Sequence, residues 1–273
     1  MLGTNLGFIN YNSMQINYTL RTRGGINLLA NYTLSKMYEN FGFNDSYAGV
    51  RQGGLYFNDK PHFLKATVVW ELPFGPGRFI GGDSKGALAK MISGWEYTTF
   101  YTQSSGEPSD LPGNVTILKD PRLPGGDWNG VKDFSQHQVR GYNPCVLRMA
   151  DNGTIQPLQF SLDKGCGTSF SNYAWLVHPN FAPRTTTFRS PNIRKQSQFN
   201  IDMSVSKMTR IGERFRFQIG LEAFNATNHW FYGRNNSFNN NPLDANFGTI
   251  FQHTQSNQNG QPRQVQVRIK LFW

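Results

Sequence analysis

Seven stretches of the chain alternate apolar and polar residues with a period of two. They cover approximately residues 8–20, 25–36, 63–72, 94–102, 199–208, 214–225 and 264–273. Because strand side chains point alternately to the two faces of a sheet, this alternation predicts strands with one apolar face each. No stretch of comparable length has the 3.6-residue period of an amphipathic helix. We therefore predict an all-β fold.

The connections between these strands alternate between compact and long. RTRGG (21–25) and TRIGE (209–213) are tight glycine-bearing turns, and the connection at 73–93 is intermediate and falls where a short turn is due. Residues 37–62, 103–198 and 226–262 form long polar connections. Strands that run up and down with every long loop at one end are typical of an outer-membrane barrel, whose short turns are periplasmic. We predict about seven antiparallel strands of a transmembrane up-and-down β-barrel.

Three tryptophans are expected at one level of this barrel. Trp70 lies near the periplasmic end of its strand, Trp95 near the periplasmic start of the next, and Trp273 at the end of the last strand. All three fall on the apolar face, which predicts an aromatic girdle at the periplasmic membrane interface. In a soluble sandwich the same residues would be core tryptophans.

The composition leaves room for a barrel, and the net charge is the one feature that would favour a nucleic-acid-binding protein. No apolar run approaches the ~18 residues of a membrane helix, but a barrel strand exposes only alternate residues to lipid. The formal charge is +10 over 273 residues, yet Lys and Arg are scattered and no recognition motif surrounds them. We predict no nucleic-acid binding.

The two cysteines, Cys145 and Cys166, lie in a stretch rich in Gly, Pro and Asn. They lack the C-x-x-C spacing of a metal site, so they predict one disulfide in an oxidising compartment. Two unrelated thiols in a reducing compartment are the alternative.

No residue pattern predicts catalysis, a cofactor or a metal. The five histidines are far apart, none has a zinc-site spacing, and no phosphate-binding glycine motif is present. Asp59 and His62, in NDKPHF, are expected to form a loop-to-strand cap or a structural hydrogen-bonding pair rather than to bind a ligand. The chain is therefore not expected to be an enzyme.

The connection at 103–198 is the main functional candidate, because loops of this length usually bind something or are disordered. The possible disulfide and several aromatic residues predict an ordered lobe outside the barrel. These residues are Trp128, Phe134, Tyr142, Phe170, Tyr173 and Trp175. A role in ligand capture and a role as a structural cap are both open.

Several of these segments resemble the TonB-dependent outer-membrane transporters with an Oar-like barrel. The similar segments are NYTLSKMYEN (31–40), NDKPHFLKATVVWELPFGPG (58–77), FNIDMSVSKMTRIGERFRFQIGLEAFNATNHWFYG (199–233), NFGTI (246–250) and RQVQVRIKLFW (263–273). They follow the order of the family and spread over nearly the whole chain.

The resemblance implies the C-terminal part of a barrel of about 22 strands, with the plug and the N-terminal module absent from this chain. It implies a bacterial outer-membrane location and active uptake of a scarce nutrient, with the isolated segment inactive. The implied partners are outer-membrane lipid, the barrel-assembly machinery, an unknown small ligand, and TonB through the missing N-terminal part. It also implies that Val267, Ile269, Leu271 and Trp273 form the C-terminal assembly signal.

A secreted soluble β-sandwich that binds a glycan or a protein is the alternative. It would explain the aromatic residues and the disulfide. It does not explain the rhythm of short and long connections.

Overall fold

The computed structural model describes residues 7–45, 50–122, 132–133, 138–212, 214–229, 239–250 and 262–273. The strands up to residue 104 are β1 (Ile9–Arg21), β2 (Ile26–Asp45), β3 (Val50–Leu55), β4 (His62–Glu71) and β5 (Trp95–Ser104). Short strands follow: β6 (Pro108–Asp110), β7 (Val115–Ile117), β8 (Lys132–Asp133), β9 (Gln138–Arg140), β10 (Val146–Met149), β11 (Ile155–Pro157), β12 (Trp175–Val177) and β13 (Arg189–Arg194). The last strands are β14 (Gln198–Ile211), β15 (Phe215–Phe224), β16 (Thr249–Ile250) and β17 (Gln264–Phe272).

The described residues include three short helices between the strands: α1 (Gly86–Ile92), α2 (Gln159–Asp163) and a 3-10 helix (Phe170–Asn172). Within the described ranges, no helix has both the length and the apolar character needed to cross a membrane.

The seven predicted strands form one antiparallel sheet, which confirms the all-β prediction. Its order is β1-β2-β4-β5-β14-β15-β17, and β3 pairs with the outer half of β2. Neighbours in this order follow one another along the chain, apart from β3 between β2 and β4 and the short strands that come after β5. The sheet is therefore an up-and-down meander, as expected for a barrel wall.

The pairing register collects the apolar residues on one face of the sheet, because directly opposite residues in paired strands point to the same side. One row joins Trp70, Tyr97, Val205, Leu221 and Val267 across five strands. The polar partners of the alternation fall on the other face. We call the first side of the sheet the apolar face.

The apolar face is uncovered in the described part of the chain. Leu221 is 53% exposed and Ile269 64% exposed, although both lie within strands of the sheet. A soluble sandwich would cover such a face with a second sheet. An uncovered apolar face is instead what a strand wall presents to lipid.

The two ends of the sheet differ as predicted. The connections at 22–25, 72–94 and 212–214 lie at one end, called here the turn end. In the first of them, Gly25 has a φ of 83° and donates its N–H to the carbonyl of Thr22. All longer connections leave from the opposite end, called the outer end.

The connection predicted as a loop at 37–62 is partly a strand pair. β2 continues to Asp45 and β3 returns beside it, so a hairpin projects beyond the sheet at the outer end. Two register irregularities interrupt its pairing, at Glu39/Gly42 and at Phe43/Asp45. An irregular register breaks the period of two, which is why the sequence pattern did not predict these strands.

β1 and β17 are the edges of the sheet, and both run from the outer end towards the turn end. In the described ranges, each of the two pairs with one neighbour only. The buried hydrophobic clusters of the chain lie outside the sheet, in the connections at the outer end.

Candidate functional site

Two long connections at the outer end fold together into one body. The described residues of 105–197 and of 239–250 form it, and we call it the outer lobe. Strand β16 pairs with β9, and Gly141 donates its N–H to the carbonyl of Gly248 at 2.7 Å. Phe247 is fully buried in the lobe core. The second connection therefore completes a core that the first one builds.

The core of the outer lobe is aromatic. The ring of Phe247 lies 5.3 Å from that of Trp175 and 5.7 Å from that of Tyr142, as measured between ring centroids. Around these rings pack aliphatic residues: Leu111, Val115, Val146, Val177 and Ile193. Aromatic pairs at this separation stabilise a core beyond the area they bury.

Three of the aromatic residues expected in an ordered lobe are buried, and their polar atoms are satisfied within the lobe. The hydroxyl of Tyr142 donates to the carbonyl of Asp110 at 2.7 Å, and that of Tyr173 to Gly167 at 2.6 Å. The indole N–H of Trp175 donates to the carbonyl of Asn143 at 2.9 Å. Burial raises the pKa of the Tyr142 phenol far above its usual range, so it stays a neutral donor. These side chains hold the lobe together and are not available to a ligand.

The remaining aromatic candidates differ in position. Phe170 is exposed on the lobe surface, where its ring meets the edge of Tyr173. Trp128 and Phe134 lie outside the described residues.

A disulfide joins Cys145 to Cys166, with a Cα–Cα distance of 5.7 Å. It connects the residue before β10 to the turn that follows α2. Both sulfurs lie in a small second cluster with Leu147, Tyr173 and Leu176. A bridge of this kind persists in an oxidising compartment such as the periplasm or the cell surface.

Largely buried ion pairs fasten the outer lobe to the β2–β3 hairpin and to the connection that follows β3. Arg194 Nη2 lies 2.7 Å from Asp59 Oδ2, and Asp59 is only 1% exposed. Asp59 Oδ1 also accepts the backbone N–H of Met37 at 2.8 Å. The same strand, β13, places Arg189 against Glu39 and against Asp110 at 3.0 Å.

A second set of charges lies at Glu107 and Lys195, in the two segments that join the lobe to β5 and β14; these segments are called here the neck. Glu107 lies 3.5 Å from the ammonium of Lys60 and 3.2 Å from that of Lys195. Glu107 is itself buried. Buried charges are tolerated where they are paired. The ion pairs of the neck and hairpin therefore fix the position of the lobe over the outer end of the sheet.

The sequence did not predict this junction. Arg189, Arg194 and Glu107 lie more than 45 residues from their partners, and nothing in their local sequence signals the pairing. The partners are Glu39, Asp59 and Lys60 respectively. The structural hydrogen-bonding role expected of Asp59 was the sequence signal that pointed to this region.

Asp59 and His62 have separate partners. The hydroxyl of Tyr32 lies 2.7 Å from His62 Nδ1 at the rim of the sheet. Asp59 belongs to the junction described above. Within the described ranges, no three His, Cys, Asp or Glu side chains come together as a metal site would need.

A cavity of about 570 Å³ opens where the lobe meets the edge of the sheet. β1 and β2 form one wall through Asn12 and Lys36, and Pro191 and Arg194 form the other. The cavity lies beside β1, an edge strand of the sheet, so its shape depends on what covers that edge.

The three tryptophans lie at the turn end on the apolar face. Trp70 is opposite Ile26 and Tyr97, Trp95 is opposite Lys207, and Trp273 follows the end of β17. Val267, Ile269 and Leu271 share that face with Trp273. Their roles in a membrane girdle and in barrel assembly stay predictions.

Comparison with known proteins identifies the family. The family described as "Outer membrane beta barrel domain" matches residues 2–266. A search of the curated proteins found no match, and neither did a search of the solved structures. The family match covers nearly the whole chain and agrees with a meander sheet that presents an apolar face. The chain belongs to the outer-membrane β-barrel family, and its place is the bacterial outer membrane.

Proposed function

We propose that this chain forms part of the barrel wall and the outer lobe of an active transporter that takes up a scarce nutrient. In this proposal the transporter draws its energy from TonB, through a plug supplied by another part of the protein. The chain itself binds and positions the ligand and has no catalytic role. The partners are the lipid of the outer membrane, the machinery that assembles barrels, TonB and a small ligand.

The observation that carries the proposal is the ordered outer lobe. Two long connections share one core, a disulfide fastens it, and buried ion pairs hold it to a third connection. A passive pore does not need so large a rigid structure over its mouth. A transporter that captures a dilute ligand does, because preorganised surfaces lose less entropy on binding.

The resemblance to the Oar-like barrels adds the energy source and the direction of transport. The similar segments include the β4 strand with its turn and the whole β14–β15 hairpin. Siderophores, vitamins, glycans and peptides are all compatible ligand classes, because residues on other strands and on a plug would complete the binding site.

Growth under nutrient limitation tests this proposal. We would delete the gene from the source bacterium and compare it with a tonB deletion and with the double deletion. The media would be limited in turn for chelated iron, cobalamin, oligosaccharide or peptide. We expect a growth defect on one limiting nutrient, and the gene should restore growth when it is returned. The double deletion should grow no worse on that nutrient than the tonB deletion alone. Additive defects, or normal growth in every medium, would contradict active uptake.

A variant of the lobe separates capture from assembly. With both Cys145 and Cys166 replaced by Ser, the loss of a bridge over this loop length is expected to cost about 3 kcal/mol of lobe stability. We expect the variant barrel to reach the outer membrane in normal amount while uptake needs more ligand for half-saturation. Unchanged half-saturation would mean that the lobe is a structural cap only.

A further inference from the structure

The connection at 72–94 is unlike the other two at the turn end. Those are tight turns, whereas this one contains helix α1 and exposes four large apolar side chains. They are Phe79, Ile80, Leu88 and Met91, with Phe79 94% exposed and Met91 63% exposed. Exposing an apolar cluster of this kind to water is unfavourable, so we expect these side chains to contact an apolar partner.

The end of α1 is fixed beside the apolar face of the sheet. Lys207 extends from that face and donates from Nζ to the carbonyl of Lys90 at 2.8 Å and to that of Ser93 at 2.5 Å. The indole N–H of Trp95 donates to the carbonyl of Met91 at 3.3 Å. Lys207 also lies 5.4 Å from the centre of the Trp95 ring.

The backbone that follows the helix is equally constrained. Gly94 has a φ of 78°, and a Cβ at this position would overlap the carbonyl oxygen of Met208 in β14. Helix α1 therefore ends at the level of Trp95, on the side of the sheet that faces lipid. Its exposed side chains continue the apolar face past the end of the strands.

The charges around this segment are basic. Lys85 and Lys90 are exposed beside Leu88 and Met91, while Arg78 is paired with Glu71 at 3.0 Å. Over 19–26, 70–96, 207–217 and 269–273, the sequence has ten basic residues and four acidic ones. The turn end thus has an excess of six positive charges, out of +10 for the whole chain.

We propose that residues 78–92 lie in the headgroup layer of the periplasmic leaflet and bind anionic phospholipid. Phe79, Ile80, Leu88 and Met91 contact the upper acyl chains, and Lys85 and Lys90 contact headgroup phosphates. An apolar side flanked by lysines is the pattern of segments that lie in a membrane interface. The continuity with the lipid-facing side of the sheet identifies lipid, rather than another protein, as the occupant. This inference rests on the family and not on the proposed transport.

Hydrogen exchange in nanodiscs tests the inference. The whole protein, purified from its own outer membrane, would be placed in nanodiscs of phosphatidylcholine alone or with phosphatidylglycerol added. We expect amide exchange over 78–92 to slow by roughly 30-fold with phosphatidylglycerol, given the usual attraction of two lysines to an anionic surface. Inorganic phosphate added to the phosphatidylcholine nanodiscs should have no such effect.

Variants assign the effect to the named side chains. Replacing Lys85 and Lys90 by Gln should remove the difference between the two lipids. The same change at Lys119 and Arg148, which are exposed on the outer lobe, should leave it intact. Replacing Leu88 and Met91 by Ser should speed exchange in both lipids, because it removes apolar contacts.

Three results would overturn the proposal. Equal exchange in the two lipids would remove the anionic headgroup as the ligand. Protection by inorganic phosphate alone would assign the lysines to a free anion. Unchanged exchange after both serine substitutions would show that the apolar side chains do not enter the membrane.

Discussion

At the scale of single residues, the buried charged side chains determine how the outer lobe is attached. Asp59 and Glu107 come from distant parts of the chain and come together with Arg189 and Arg194 of β13 at the base of the outer lobe. Such a pair contributes little net free energy when it is intact, but breaking it leaves a buried charge without its partner. These residues are therefore the positions at which a small change should release the lobe.

The first prediction concerns Asp59. Asp59→Ala removes the carboxylate that meets Arg194 and the acceptor for Met37, and we expect the free energy of unfolding of the lobe to fall by about 3 kcal/mol. Asp59→Asn can keep the bond to Met37 and should cost less. Hydrogen exchange of the β13 amides in increasing urea would measure both.

Asp151 provides the control for this prediction, because it lies exposed in a turn of the same lobe. Asp151→Ala should leave β13 as protected as in the unchanged protein. If Asp59→Ala gives the same result as Asp151→Ala, the ion pair does not hold the lobe in place.

The second prediction concerns the stability of the outer lobe at acid pH. The backbone N–H of Asn246 and the amide of Asn239 donate to Asp244 and hold the pKa of its carboxyl below the ordinary value. A lowered folded-state pKa stabilises the fold fully above the ordinary carboxyl pKa of about 4 and loses that effect as pH falls through the lower value. Asp244 also accepts the N–H of Phe247 at its carbonyl, at 2.9 Å.

We therefore expect the lobe of the unchanged protein to melt at a higher temperature than that of Asp244→Asn at pH 6, with the gap closing on acidification. Thermal unfolding followed at several pH values would measure the gap. A constant gap for Asp244→Asn would mean that its charge does not contribute.

At the scale of elements, the two faces of β17 predict different outcomes when lysine is introduced at neighbouring positions. Val267 lies on the apolar face opposite Leu221, and Gln266 lies on the other face, where its amide donates to Glu222 at 2.6 Å. Val267→Lys should destabilise the barrel by about 2–4 kcal/mol, since a charge on the lipid face near mid-membrane costs that much. Gln266→Lys should be nearly neutral because Glu222 can pair with it.

Unfolding of the protein in lipid vesicles by denaturant would measure both changes. Equal costs for the two neighbours would contradict the assignment of the apolar face to lipid.

The elements that the sequence predicted are those with long, regular alternation. Val265, Val267, Ile269 and Leu271 identify their strand without any knowledge of its partners. The sequence could not predict the outer lobe in the same way. Its strands are two to six residues long, and pairs such as Thr249 with Arg140 join positions far apart in the chain. Local periodicity cannot encode such contacts, so the lobe appears in the sequence only as length, cysteines and aromatic residues.

At the scale of the whole molecule, the uncovered apolar face predicts how the protein behaves in solution. We expect it to stay in the membrane fraction through high-salt and carbonate washes and to be released by detergent alone. The apolar sheet face is costly to expose to water rather than to lipid. The backbone groups of the two edge strands are costly to leave without a neighbouring strand. A monodisperse monomer without detergent in analytical ultracentrifugation would contradict this prediction.

The direction of the two edge strands has a consequence for the closed barrel. Since β1 and β17 both run towards the turn end, the strand that covers each edge must run the other way if all pairing is antiparallel. A set of strands that begins and ends with the same direction has an odd number of members. Two copies of this sheet, inserted in the same orientation, would meet in parallel pairs and could not form such a wall. The arc that completes this barrel therefore has an odd number of strands, and the closed wall an even one.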